Sequence, residues 1–384
     1  MANTLTDLIP EAYAALDIVS RELTGFIPAV TMNSSLERVG LDDVIRIPVT
    51  PAAATAANTP GVNSPDTGDQ AIANVTMAID HSLHVAIRWN GEQTKSYGNT
   101  GLFPSTISQQ IGQAMRTLTN AIETDIAAEA IRASRAFGTA ATTPFASNLS
   151  DANNIAKMLS DNGAPMADRH LVVDTTAGLN LRNLTNLNQV NTSGTDATLR
   201  RGVLLPTSGL DVRESAQVYA HTAGDATSAT TDSAGYAVGI TSIVLESAGA
   251  GAILTGDTIL FAGDTNKYLV VTGDAAVGGG GTIVIAKPGL KVAMSAATKA
   301  ISIVADSSYN VGFHRSAIQL VTRMPAMPEG GDLAVDSFQV TDPNSGLSFE
   351  VALYKQFLQN VLHVRIAWGT KCIKPEHATV LLGA

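Results

Sequence analysis

Apolar residues occupy alternate positions along the 15-residue stretch from Val75 to Trp89, with His81 as the one polar residue in that series. Successive side chains of a β-strand point to opposite faces, so this pattern predicts a strand with one covered face and one wetted face. Such a strand would be about 50 Å long, whereas ordinary strands hold about 5–6 residues. The residues of the apolar face are Val75, Met77, Ile79, Leu83, Val85, Ile87 and Trp89.

An upstream segment has the same apolar parity and predicts a partner strand. Its apolar positions are Val39, Leu41, Ile45, Ile47 and Val49. The pair would form a long two-stranded ribbon, joined by a loop rich in Ala, Thr and Pro from Thr50 to Gln70. Because two strands alone are marginally stable in water, we expect this ribbon to lie on something outside itself. A neighbouring subunit is the candidate.

A long helix is predicted from about Ser105 to Phe137. Pro104 is suited to the first turn of a helix, and Gly138 is suited to the position just past its end. At 1.5 Å per residue the helix would be about 50 Å long. Its apolar stripe is narrow, which predicts one buried face and one face toward water or a partner. The stripe consists of Ile107, Ile111, Met115, Leu118, Ile122, Ile126 and Ile131.

Composition excludes several classes of protein. A hydrophobic content of 45% excludes wholesale disorder, and 384 residues are enough for two or three domains. The net charge of −10 argues against tight nucleic-acid binding, which needs clustered Lys and Arg. The single cysteine, Cys372, predicts a fold without an internal disulfide. Residues 1–20 lack the pattern of a secretory signal, and we expect assembly in the cytoplasm without a membrane span.

The remaining segments predict an α+β fold with an all-β insertion. Helices are predicted at residues 5–23 and from Leu149 to Asn162, and a short buried strand from His170 to Asp174. Strand patterns resume at Ala317–Arg323, Val335–Val340 and Leu347–Ile366.

Between about Gly224 and Ser307 charge and helix signals nearly vanish. Short β-type runs appear instead, separated by Gly and Asp at roughly ten-residue spacing, which is typical of a small β-barrel or sandwich. We interpret residues 224–305 as an inserted β-domain within a larger parent domain. The runs are Ile240–Leu245, Thr258–Phe261, Tyr268–Thr272, Thr282–Ile285 and Ala300–Val304.

No catalytic constellation emerges from the motifs. Asp66-Thr67-Gly68 matches the triplet of aspartic proteases, but it lies in a polar, Pro-rich loop without the apolar residues that precede that motif. The glycine run from Gly278 to Gly281 lacks the Lys and the helix of a phosphate-binding loop, so it predicts a hairpin. His81 and His84 fall on opposite faces of the predicted strand, which argues against a shared metal ion. We therefore expect neither an enzyme nor a cofactor.

Two short motifs carry a resemblance to a known family. One is Gly256-Asp-Thr-Ile-Leu-Phe-Ala-Gly263, and the other is Arg365-Ile-Ala-Trp-Gly369 followed by Lys374-Pro375-Glu376. Together with the order of the predicted parts, they make the chain similar to the major capsid (coat) proteins of short-tailed bacteriophages, whose Hong Kong-type capsid fold carries an inserted domain.

This resemblance implies a division of the chain into an N-terminal arm, an extended loop, a spine helix, peripheral and axial domains, and the insertion. The N-terminal helical arm would comprise residues 1–36 and the extended two-stranded loop residues 37–100. The spine helix and peripheral domain would follow at 101–166. The axial domain would comprise 167–223 and 306–342 on either side of the inserted small β-barrel at 224–305, and C-terminal peripheral strands would occupy 343–384.

The resemblance also implies a structural function. Many copies would close as hexamers and pentamers into an icosahedral virion shell around double-stranded DNA, which is enclosed without sequence-specific binding. It further implies assembly in the host bacterial cytoplasm, guided by a scaffolding protein and followed by expansion. A portal protein and a decoration protein are the other implied partners. An acidic subunit suits such a shell, because it does not hold on to phosphate.

Candidate interface residues lie in and near the ribbon. They are Arg46, Arg88, Trp89, Glu92 and Lys95, and the four charged ones are suited to pairing across subunits. The alternative, that the charged ones are solvated surface groups worth under about 1 kcal/mol each, stays open. An encapsulin-like protein compartment and a β-rich surface or adhesion protein also remain as alternative functions.

Overall fold

The chain is an α+β protein. The computed structural model describes residues 24–50, 55–61, 72–98, 103–189, 193, 197–342 and 345–384. The predicted helix at 5–23 and the Asp66-Thr67-Gly68 triplet lie outside these residues. The helices are α1 (Gly91–Gly98), α2 (Phe103–Ala128), α3 (Ser150–Asp161), α4 (Thr175–Asn183), α5 (Thr185–Asn188) and α6 (Ala197–Arg201).

A mixed sheet of six strands packs against α2. Its antiparallel centre is a long strand that pairs with two different strands along one edge and with a third along the other. The strands are β1 (Thr31–Val39), β4 (His81–Asn90), β15 (Ile318–Pro325), β16 (Asp336–Thr341), β17 (Ser348–Gln356) and the central β18 (Gln359–Cys372). The first strand corrects one prediction, because residues 31–34, expected in a helical arm, pair in parallel with β15.

The predicted 15-residue strand is broken in two. Strand β3 (Ala73–Ala78) pairs with β2 (Val44–Val49) in a separate two-stranded ribbon, whereas β4 pairs with β18. The chain changes partner at Ile79, whose backbone N–H donates to the carbonyl of Asp43 at 3.0 Å. The predicted apolar face is confirmed at Met77, Ile79 and Ile87, which are buried. It is wrong at Leu83, which is exposed.

The long helix ends earlier than predicted. Helix α2 stops at Ala128, a 3-10 turn covers Glu129–Arg132, and the predicted last turn is a strand, β5 (Arg135–Phe137). Strand β5 pairs with two other strands of a second sheet, and this tertiary pairing overrides the local helical pattern. The apolar stripe from Ile111 to Ile126 is buried as predicted, in one core with Trp368 and other residues of β18.

The second sheet has eleven strands among the described residues. One part surrounds β14 (Ser307–His314), which pairs with β6, β8 and β19. These strands are β6 (Arg169–Val173), β8 (Tyr219–His221) and β19 (Ala378–Gly383). The remaining members of that part are β7 (Asp211–Glu214), which pairs with β6, and β5, which pairs with β19. Helix α3 and strand β6 lie close to their predicted positions.

The other part of this sheet is a small β-barrel. Its strands match the five predicted runs and are β9 (Ser242–Leu245), β10 (Thr258–Phe261), β11 (Lys267–Thr272), β12 (Gly281–Ile285) and β13 (Ile301–Ile303). They pair in the order β9, β12, β11, β10 and β13. The segment at Thr230 and Thr231 bridges to both Ala300 and Leu245, which closes the ring. The barrel has its own core, which includes Phe261 and Ile283.

Candidate assembly surface

Among the described residues, the base of the ribbon packs on its own subunit. Ile45 and Ile47 are half-buried and pack against a small cluster that contains Met77 and Ile79. Lys371 of β18 donates from Nζ to the backbone carbonyl of Thr76 at 2.7 Å. The cluster also contains Val321 and Ala367 of the six-stranded sheet, so the apolar face of the ribbon base is covered within the chain.

The far end of the ribbon has no such cover. Every residue of the described loop segment 55–61 is exposed, and its backbone forms no regular element. Two strands joined by such a loop hold few contacts of their own. The expectation that the ribbon needs an outside support therefore applies to its outer part and not to its base.

The predicted interface residues fall in two places. Arg46 lies in β2, exposed and opposite Thr76 of the ribbon. Arg88 is exposed in β4, and Glu92 and Lys95 are exposed in α1, which follows β4 directly. The structure thus brings Arg88, Trp89, Glu92 and Lys95 to one end of the six-stranded sheet, and Arg46 belongs to a different sheet.

Trp89 fixes the long helix to the edge strand. Its indole Nε1 donates to Oε1 of Gln110 in α2 at 2.8 Å, and its ring packs against the main core. Arg88 lines a groove of 460 Å³ between β4 and α2. Among the contacts between described residues, those of Trp89 with Gln110 and the main core explain its position within the subunit.

An apolar hairpin tip lies at the same end of the sheet and was missed in the sequence. Strands β17 and β18, predicted as one run, are joined by a two-residue turn at Phe357 and Leu358. The carbonyl of Leu358 accepts the backbone N–H of Gly91 at 3.1 Å, which places the tip beside α1. Phe357 is 90% exposed and Leu358 is 74% exposed. The predicted strand run Leu347–Ile366 has 20 residues, which is too long for one strand, and this length was the sequence signal for a hairpin.

A network of charges fixes the outer face of this sheet. Glu350 of β17 is buried and accepts hydrogen bonds from Arg38 of β1 and from Nε of Arg365 of β18, the latter at 2.8 Å. Burial alone would raise the pKa of Glu350, but the bonds from both arginines outweigh it and the pKa lies below its ordinary value. Arg365 also contacts Asp332 at 2.9 Å, which joins the loop before β16 to the sheet.

A buried carboxylate ties the start of the described chain to α2. Glu123 accepts backbone N–H groups from Gly25, Phe26 and Ile27 at 2.6, 2.7 and 3.0 Å, and the Ser215 hydroxyl at 2.9 Å. Burial raises the pKa of Glu123 above its ordinary value, although these four bonds act in the opposite direction. Glu123 lies outside the predicted apolar stripe and is nevertheless buried, because residues 25–27 cover it.

Metal and membrane sites find no support in the described part of the chain. No group of three or more His, Cys, Asp or Glu side chains there is arranged to hold a metal ion. His81 stacks on Trp368, whereas the ring of His84 lies tilted against that of His363, so the two histidines face opposite sides as predicted. Within the described ranges, no helix is long and apolar enough to cross a bilayer.

Comparisons with known proteins give structural neighbours only. No family model and no curated protein matches the chain. A capsid structure of the cyanophage P-SCSP1u is 14% identical, with a TM-score of 0.48, and the match covers 95% of this chain and 89% of that one. A chain from Mycobacterium phage Che8 is 14% identical, with a TM-score of 0.44 and coverage of 90% and 88%.

A further neighbour is a virus-like particle from Pyrococcus furiosus. It is 8% identical, with a TM-score of 0.44, and the match covers 97% of this chain and 99% of that one. Identities of 14% or less and TM-scores below 0.5 do not assign this chain to a family.

Proposed function

We propose that this chain is the major structural subunit of an icosahedral phage capsid, in which many copies close into a shell around double-stranded DNA. The observation that carries the proposal is the ribbon, whose base is packed on its own sheet and whose described outer segment, residues 55–61, is exposed. A two-stranded arm of this kind gains stability when it lies on another molecule. In a shell every copy both extends such an arm and receives one.

The sequence motifs at residues 256–263 and 365–369 support the same function through their resemblance to phage capsid proteins. In the structure the first includes β10 of the barrel and the second lies in β18, the central strand of the six-stranded sheet. Trp368 of the second motif is fully buried and donates from Nε1 to Asp125 of α2 at 2.7 Å. Both motifs therefore lie at positions where they support the fold itself.

The charge of the subunit suits enclosure of DNA without binding it. The net charge is −10, and phosphate contacts require clustered Lys and Arg. Scaffold-assisted assembly, later expansion, and contacts with a portal and a decoration protein belong to the proposal as implications of the resemblance. They predict assembly in the bacterial cytoplasm and a final location in the virion.

Deletion of residues 52–70 tests the role of the ribbon. These residues lie beyond β2 and before β3, so the subunit should fold with an unchanged circular dichroism spectrum and melting temperature. We expect that it no longer forms stable shells when it is expressed with the wild-type assembly partners. Shells would be scored by electron microscopy and sedimentation.

A same-length variant is the matched control for this deletion. It replaces residues 52–70 by Gly and Ser, which keeps the loop length and removes its side chains. Loss of assembly in the deletion variant alone would indicate that the length of the loop is required. Loss in both variants would indicate that the side chains of the loop make the contact. Normal shells from the deletion variant would contradict the proposed clamp.

A further inference from the structure

Two leucines adopt a backbone conformation that leucine rarely takes, and neither is buried. Leu333 has φ of 62° and Leu358 has φ of 54°. The left-handed region is unfavourable for residues with a branched side chain, because Cβ approaches the backbone. Leu333 is 94% exposed and Leu358 is 74% exposed, so burial within the subunit does not compensate for this strain.

Both leucines lie at the same end of the six-stranded sheet. Leu358 is in the hairpin between β17 and β18, next to the exposed Phe357. Leu333 is in the loop before β16, together with Val335, which is 51% exposed. The backbone N–H of Val335 donates to the carbonyl of Leu353 in β17 at 2.8 Å, which fixes this loop to the strand that leads to the hairpin.

The loop is held rigidly in this exposed position. Asp332 accepts hydrogen bonds from the Tyr354 hydroxyl and, within the loop, from the backbone N–H of Ala334 at 3.2 Å. Arg365 adds an ion pair to the same carboxylate. Strained residues that the surrounding structure fixes in place are typical of sites with a function.

The two halves of this surface carry opposite charges. Lys355 precedes the hairpin tip and is exposed, and Glu329 and Asp336 flank the loop and are exposed. Among the described residues no ion pair joins any of these three side chains to another group. The hairpin tip is apolar and lies beside a free cation, whereas the loop is apolar and lies beside two free anions. The two surfaces are therefore complementary in hydrophobicity and in charge.

We propose that copies of this chain associate head to tail at this end of the sheet. The hairpin of one copy, with Phe357, Leu358 and Lys355, docks on the loop of the next copy, with Leu333 and Glu329. This contact rests on the proposed shell function and is separate from the ribbon. A head-to-tail contact uses two different surfaces of each copy, so repeated copies form a ring where the rotation closes.

Paired surface variants test this contact. The hairpin variant is Phe357→Ser with Leu358→Asn, and the loop variant is Leu333→Asn with Val335→Ser. Asparagine tolerates the left-handed region, so both variants should keep or raise the melting temperature of the subunit. Each should weaken self-association of the full chain about tenfold or more, as measured by sedimentation velocity.

Mixing the two variants distinguishes head-to-tail association from an arrangement in which the hairpin tips of two copies contact each other. Each variant retains one intact half, so an equimolar mixture should form a 1:1 dimer that does not grow further. Absence of this dimer, while each variant alone is monomeric, would overturn the head-to-tail arrangement. Wild-type association in either variant would overturn the contact itself.

Charge exchange gives an independent readout of the same contact. Lys355→Glu alone and Glu329→Lys alone should each weaken association, and the double variant should recover most of it. Failure of the double variant to recover would contradict the proposed pairing. If shells form normally while both surface variants behave as wild type, this inference fails and the proposed function stands. If the wild-type chain never assembles, the proposed function fails as well.

Discussion

The barrel and the six-stranded sheet differ in how their outer strands are paired. In the barrel, the segment at Thr230 and Thr231 joins the two outer strands and leaves a closed ring around its own core. In the sheet, β4 pairs only with β18 among the described residues, over ten unbroken register positions from His81 to Asn90. Unpaired edges and exposed apolar tips are features that soluble proteins usually cover or avoid.

This difference shows where contacts with other molecules are to be expected. The barrel closes its own ring, and β11 also pairs with β5 of the same chain, so its folding should depend little on other molecules. The sheet extends the ribbon at one end of β4 and the Phe357–Leu358 tip at the other. We therefore expect assembly to depend on the extremities of the sheet.

The largest expected effect is the loss of the barrel core through Phe261→Ala. Phe261 is fully buried in the cluster that belongs to the barrel. Truncation of a buried phenylalanine costs about 3–5 kcal/mol of folding free energy. Amide exchange should accelerate in β9 to β13 and remain slow in β4 and β18. Phe261→Leu is the control and should lose much less, and equal acceleration in both regions would show that the barrel is not self-contained.

A smaller effect is expected at the charge network of the sheet. Glu350→Ala removes a buried carboxylate that joins Arg38 and Arg365, and we expect a loss of about 2–4 kcal/mol in the free energy of unfolding. Urea unfolding measures this loss. Glu350→Gln keeps the shape and should retain part of the stability. A change below about 0.5 kcal/mol for Glu350→Ala would mean that the network does not hold β1 on the sheet.

The smallest effect is a pH dependence from Asp332. The Tyr354 hydroxyl, followed by Arg365, lowers the pKa of Asp332 from 3.8 to about 2. A carboxyl with a lowered folded-state pKa stabilises the fold above its unfolded pKa, and this contribution is lost as pH falls through the folded value. Asp332→Asn should therefore be less stable than wild type at neutral pH, and the difference should shrink between pH 3.8 and about 2. A difference independent of pH would exclude this origin.

The buried faces and the positions of the strands were better predicted from the sequence than the pairing partners of the strands. The five barrel strands were predictable because Gly and Asp turns bound each one closely. The alternation from Val75 to Trp89 predicted the more buried face of the strands, except at Leu83, but it continues in phase through Ile79 and so hides the change of partner there. The predicted end of the long helix was wrong because residues 135–137 form β5, which is defined by its pairing with β11 and β19.

The candidate interface was only partly predictable for a similar reason. Exposed charges such as Arg88 and Lys95 are visible in a sequence, and the structure places them beside the hairpin tip. Leucine, by contrast, is ordinarily assigned to the core, and a positive φ at Leu333 or Leu358 has no sequence signal. The buried role of Glu123 depends on contacts about 97 residues away along the chain, which local periodicity does not encode.

Assembly of the full chain tests the central claim most directly. The chain would be expressed alone and with a scaffolding protein of the kind that the proposed function implies, and the products would be sized by sedimentation and imaged by electron microscopy. We predict closed shells, or hexameric and pentameric capsomers, in at least one of the two conditions. A folded chain that stays monomeric in both conditions would contradict the account.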